Sequence, residues 1–385
     1  MQNVMMARGA HTVVCRCANV KAGKQVLIVS EPSKMSIAEC VAEAVCAVGA
    51  EPAIVSMVPR ERDSQEPPRP IAAAMRAADV FFCIVSRSIT HTNAVKNATD
   101  NGARGLVLTQ FSEDMMVYGG IEADFPTIAP TCKKMAKALE GARQIHLTTP
   151  LGTDLIYSAE GRRGNALYGV VEKGQFSTVP TIEANVSPLE GTANGRIVAD
   201  ACVPYLGIGV LTEPVVCTVE TGRIVSMEGG HQAMALKKDL DAKNDPNVYN
   251  VAEMGIGLNP KCRFCGFMLE DEGVLGSVHI GIGTSITLGG TVKAACHYDL
   301  IMTGATVVAD GKTLLKNGTV CEENLYMKRT LPVRRRNCRS GAMPIQQTKR
   351  ERHIGRKLFE KCRRRFRTYC TVQQGFIYGQ VAILE

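Results

Sequence analysis

The sequence predicts an α/β N-terminal domain with a parallel sheet, a β-rich α+β domain after it, and a basic C-terminal extension. Three observations carry that expectation. Strand-like and helix-like runs alternate with short connections up to about residue 150. From 151 to 327 the runs are short, strand-like and separated by Gly, Asn and Asp turns. From Lys328 the charge changes abruptly: residues 328–385 hold 16 basic and three acidic residues, a net +13. The remaining 29 basic and 34 acidic residues leave 1–327 at −5, so the overall +8 belongs to the extension.

In chain order, residues 7–18 (ARGAHTVVCRCA) read as a helix, and KAGKQVLIVSE brings a strand at about 25–30. Residues 35–49 place apolar side chains at helical spacing and stop on Gly49. Strand PAIVSMV, a Pro-rich loop at 59–70, helix IAAAMRAA, strand VFFCIVS, helix NAVKNATDNG and strand RGLVLTQ follow. A helix at 127–141 and a strand at 144–149 close a Rossmann-like domain over 1–150. No G-x-G-x-x-G follows the first strand, so a dinucleotide site is not expected. In 151–327 the strand-like runs include LGTDLIYSAEGR, GRIVADACVP, PVVCTVETGRIVSMEGG and SVHIGIG, interrupted by one helix at about 231–242.

Hydrophobic residues make up 45 % of the chain and aromatic ones 5 %, with no Trp, so the core is built from Ala, Val, Ile, Leu and Met. No apolar run reaches the roughly 20 residues of a membrane span. The N-terminus lacks a basic region followed by a long apolar stretch and does not read as a signal peptide. The 15 cysteines lie in apolar segments such as AVCAV and VFFCIV, which suits reduced thiols in a cytoplasmic protein. The extension, expected to be mobile, is the only segment suited to nucleic acid. A homo-oligomer is compatible with the composition.

The chemistry concentrates between Glu253 and Asp299. Glu253 opens the Gly-rich AEMGIGLNP. His279 stands in SVHIGIG, where Gly281 and Gly283 share its strand face and leave space beside the imidazole. His297 and Asp299, two apart in a strand-like run, point to the same side. A His-x-Asp pair facing a second His and a Glu suits a Zn, Fe, Mn or Co ion. The same pattern also fits hydrogen-bonded sheet histidines and surface acids.

Together with PTIEANVSPLEGTANGRI at 180–197, the blocks AEMGIGLNP, DEGVLGSVHIGIG and HYD resemble the aminopeptidase T group of metallo-exopeptidases and the related 2,5-dihydroxypyridine 5,6-dioxygenases. The resemblance covers the layout of about residues 1–320. The aminopeptidase likeness implies a divalent metal site (Zn, Co or Mn, one or two ions) on Glu183, Glu253, His279, His297 and Asp299. A hydroxide on the metal would attack an amide or peptide carbonyl, with Glu183 or Glu253 as base. Two departures stand out: Ile286 occupies the place of a family tyrosine, and only 18 residues separate His279 from His297. The dioxygenase likeness implies a single Fe(II) on His279, His297 and Asp299, with Glu253 where those enzymes carry their first His. It also implies that His91 lies near a small-ring substrate; the plainer alternative is a His at a helix start. A non-catalytic binding protein is the third expectation.

Other constellations carry less. Cys262 and Cys265 form a lone C-x-x-C, taken as a reduced pair in a turn. Cys15 and Cys17 are two apart on a helix and do not face each other. Glu270, Asp271 and Glu272 read as a solvated acidic turn, with a general base as the alternative. The EGTANG loop at 190–195 is a good turn that could also approach substrate.

Overall fold

The computed structural model describes residues 2–90 and 92–325, all within one compact unit. His91 and the 328–385 extension, with the expectations attached to them, lie outside the described residues.

Five parallel strands form the first sheet, in the order Glu51–Ser56, Gln25–Ser30, Val80–Val85, Arg104–Thr109, Phe176–Thr178. Strand alternation divides its side chains between two cores. Val26, Ile28, Phe82, Ile84 and Leu106 enter a large core that runs from Met6 to Leu325. Leu27, Val29, Phe81, Cys83 and Val107 enter a smaller core on the other face. The helices over Met35–Ala47 and Phe125–Leu139 pack into the large core through Ile37, Val41 and Val45 and through Cys132, Met135 and Leu139. The smaller core is closed by Arg69–Ala77 and by Asn93–Asp100, whose first turn is capped by Thr92.

One expected strand pairs elsewhere. Ile145–Thr148 does not close the parallel sheet; it pairs antiparallel with Asp154–Tyr157 and Thr306–Ala309. The fifth parallel strand is instead Phe176–Thr178, three residues long and beyond the texture change at 150. A run that short in the sequence is too brief to show a period.

Two antiparallel sheets follow. One has eight strands, from Arg223–Glu228 through Ile145–Thr148 to Thr319–Val320. The other has seven, in the order Gly209–Val210, Cys202–Val203, His297–Met302, Val278–Gly283, Val251–Gly257, Glu183–Val186, Gly164–Leu167. The expected helix at 231–242 is present as His231–Ala242. Among the described residues no helix is long and apolar enough to cross a membrane.

Candidate metal centre

The five expected ligands stand on four neighbouring strands of the seven-stranded sheet. Glu183 begins the Glu183–Val186 strand, Glu253 lies in Val251–Gly257, His279 in Val278–Gly283, and His297 with Asp299 in His297–Met302. The register pairs Glu253 with Gly281, Gly281 with Asp299, and Gly283 with His297. Cross-strand partners point to one side, so all five side chains share a face. The opposite face is apolar, with Ala184, Met254, Ile256, Ile280, Ile282, Leu300 and Met302 fully buried.

Glycines make this crowding possible. A Cβ at Gly255 would lie 2.1 Å from His279 Nε2, and one at Gly281 2.6 Å from His297 Nε2. The space beside the His279 imidazole therefore comes from Gly255, on the neighbouring strand. The room at Gly281, expected to stand open beside His279, is filled by the His297 ring and Glu253.

The donor atoms fall into two groups, Glu183/Glu253/His279 and Glu253/His297/Asp299, each with its atoms within 4.8 Å of one another. His279 Nε2 lies 3.4 Å from Glu183 Oε2 and 3.9 Å from Glu253 Oε1. His297 Nε2 lies 3.0 Å from Glu253 Oε2 and 3.4 Å from Asp299 Oδ1. Glu253 turns one oxygen to each group. The His297 ring is set by its other nitrogen, which donates to the Thr284 carbonyl (2.8 Å) and leaves Nε2 as the inward atom. Glu183 Oε1 accepts from Asn185 Nδ2 (2.9 Å). Asp299 Oδ2 accepts from Tyr205 Oη (2.5 Å).

Electrostatics reflect burial. Burial, opposed by His279 and reinforced by Glu253, holds the Glu183 carboxyl up at about 7. Burial works against charge on His279 as well, but Glu183, Glu253 and Asp299 prevail and raise it to about 9. His297 is raised well above the imidazole range against the same burial, through Asp299 and Glu253. Burial pushes Asp299 and Glu253 upward, yet the imidazoles hold both below the usual carboxylate range.

This donor set fits divalent cations. Glu183 Oε2 and Asp299 Oδ1 are buried without a hydrogen-bond partner. Each faces an imidazole Nε2 at 3.4 Å, and a buried carboxylate oxygen without a hydrogen bond is costly. Three carboxylates and two imidazoles on one face are the oxygen and nitrogen donors that divalent transition metals take.

The acidic cluster at 270–272 is not a solvated turn. Glu270 and Asp271 are fully buried, and Glu272 is 9 % exposed. Glu270 accepts from the Gly120 amide (2.8 Å), and burial raises its carboxyl to about 7. Asp271 accepts from the Cys265 amide and from the Cys202 thiol, each at 2.7 Å. Glu272 stands 3.4 Å from Tyr205 Oη, and burial, Asp299 and Glu183 push its carboxyl well above the usual range. The Cys262–Cys265 pair is reduced, with Cys265 exposed. In the 190–195 turn, Glu190 binds the Thr291 amide (2.7 Å) and pairs with Arg162. Ile286 is half-exposed.

Sequence patterns missed Tyr205 and Asn185, and read Glu272 as part of a solvated turn. Asn185 had a signal, since it lies two residues after Glu183 and shares its strand face. Tyr205 had none, being 94 residues from its partner Asp299.

Residues 8–322 match the family model described as NicX, 2,5-dihydroxypyridine 5,6-dioxygenase. A 2,5-dihydroxypyridine 5,6-dioxygenase of Pseudomonas putida is 25 % identical over 195 residues, 47 % of this chain and 55 % of that protein. The aligned stretch thus spans about half the length of that relative. The fold is similar to the solved 2,5-dihydroxypyridine dioxygenase of Pseudomonas putida, with a TM-score of 0.71 and 18 % identity over 84 % of this chain and 99 % of that one. It is also similar to wild-type AmpT of Thermus thermophilus, with a TM-score of 0.61 and 17 % identity over 83 % and 99 %.

Proposed function

We propose a function from the premise that the matched span supplies: the chain belongs to the 2,5-dihydroxypyridine 5,6-dioxygenase family. Within it, we read this chain as a metal-dependent hydrolase of the aminopeptidase T type, acting on a small amide or peptide. The observation that carries the reading is the division of five ligands into two groups that share Glu253. A carboxylate with one oxygen in each group is placed to bind two ions at once.

Glu183, Glu253 and His279 would hold one divalent ion, and Glu253, His297 and Asp299 a second. Zn, Co or Mn suits these donors. Such a pair, when bound, polarises a carbonyl and brings the pKa of water toward neutrality. The protein's own groups do the rest. Three carboxylates offset most of the charge of two divalent ions. Tyr205 fixes Asp299, and the Thr284 carbonyl fixes His297. Of the two carboxylates considered as base, Glu253 is committed to both groups. Glu183 belongs to one group only and is the freer of the two to act as base.

The second reading is a mononuclear iron ring-cleaving dioxygenase, favoured by the family model and the Pseudomonas putida relative. It needs His279, His297 and Asp299 around one ion, whereas the two imidazoles fall in separate groups. Metal analysis after anaerobic purification without added metal tests both, alongside amide hydrolysis and oxygen uptake with 2,5-dihydroxypyridine. We expect two Zn, Co or Mn per chain and hydrolysis. One ferrous ion with ring cleavage overturns the hydrolase reading.

A further inference from the structure

Hydrogen bonds from one loop, residues 284–292, lead toward both groups of donor atoms. At one end the Thr284 carbonyl accepts from His297 Nδ1 and turns Nε2 toward Glu253 and Asp299. Further along, the Leu288 carbonyl accepts from Asn165 Nδ2 (3.1 Å). Asn165 stands opposite Asn185 in the sheet, and its Nδ2 also donates to Asn185 Oδ1 (2.8 Å). A side-chain amide has one acceptor end and one donor end. Committing Asn185 Oδ1 to Asn165 therefore aims Asn185 Nδ2 at Glu183 Oε1. That bond leaves Glu183 Oε2 as the oxygen facing His279.

The loop is tied to the body by other residues. Arg162 donates to the Gly289 carbonyl (2.7 Å), and Glu190 accepts from both the amide and the hydroxyl of Thr291 (2.7 and 3.0 Å). At Gly290 a Cβ would come within 2.8 Å of Ser187 Oγ, so the loop lies directly on the strand end that follows Glu183.

We infer that Asn165 and Asn185 are positioning residues that connect the 284–292 loop to Glu183, making this loop the common support of both ligand groups. The inference rests on the two-metal reading above. An asparagine pair serving only to stabilise the sheet would not discriminate between the two groups.

Cobalt(II) titration of the full-length metal-free protein separates these cases, with visible absorption reporting the ligand field of each equivalent. In Asn165→Ala and in Asn185→Ala we expect one equivalent to bind about 10–100-fold more weakly with shifted bands, as for other partners of metal ligands. The other equivalent keeps its affinity and spectrum. Both equivalents binding as in the wild type overturns the inference. So does a parallel weakening of both together with a lower Tm of the metal-free variant. Asn185 is buried and Asn165 only half-buried, so Asn165→Ala carries the test if Asn185→Ala does not fold. A wild-type protein that takes up a single equivalent defeats the two-metal reading by itself, and the same variants then decide the inference on that equivalent.

Discussion

Val80–Val85 and Val278–Gly283 are both six-residue strands, both in the middle of a sheet, and every residue of each is buried. In the first, both faces are apolar, and Phe81 and Phe82 reach into different cores. Burial there is itself the source of stability. In the second, Val278, Ile280 and Ile282 face the core, while His279, Gly281 and Gly283 face two glutamates, an aspartate and another imidazole. Burial on that face is a cost, tolerable only where opposite charges meet. Equal burial thus marks a scaffold in one sheet and a candidate site in the other.

The largest effects should come from paired substitutions that exchange these roles. Glu253→Gln removes the carboxylate common to both groups, and we expect affinity for both divalent ions to fall by at least about 100-fold. The metal-free protein should lose stability as well, because two buried imidazoles lose the carboxylate that faces both of them. Phe82→Ala should instead cost about 3–5 kcal/mol on denaturation while bound metal stays at wild-type stoichiometry. Metal loss in Phe82→Ala with only a small change in stability would erase the distinction between the sheets.

A smaller effect sharpens it. Gly281→Ala puts a methyl group 2.6 Å from His297 Nε2 and 2.9 Å from Glu253 Cβ. We expect a stability cost of about 1–3 kcal/mol, with metal titration showing the loss concentrated in the Glu253/His297/Asp299 group. Unchanged titration of the Gly281→Ala variant would mean that the ligands do not need the space that glycine leaves.

The smallest is a change of slope with pH. Glu183 is held up at about 7 and His279 at about 9, both above their values in an unfolded chain. Each contributes stability below its unfolded pKa and loses it as pH rises through the folded value. The Tm of the metal-free protein should therefore fall between about pH 4.5 and 9. With Zn(II) in excess the slope should reverse, since ligands release protons to bind metal. Matching slopes in the two forms would show that these groups do not exchange protons for metal.

The sequence by itself determined a good deal. Strand and helix alternation revealed four of the five parallel strands, because VFFCIV or RGLVLT is long and apolar enough to be read locally. The strands of the candidate ligands were legible for a different reason. His-x-Asp in HYD and the Gly alternation in VHIGIG are period-two patterns, and that period fixes which side chains share a face. Resemblance to known motifs supplied Glu183. Only the tertiary structure decided the remainder. Ile145–Thr148 reads as a strand whichever sheet receives it, and its partners at 154–157 and 306–309 decide which one does. Glu270–Glu272 looked solvated because a run of acids carries no record of the amides and thiol that meet it from Gly120, Cys265 and Cys202. The sharing of Glu253, the hold of Tyr205 on Asp299 and the reach of the 284–292 loop to both ligand groups depend on contacts across many residues of sequence. Such contacts follow from strand register and packing, which local propensity and periodicity leave undetermined.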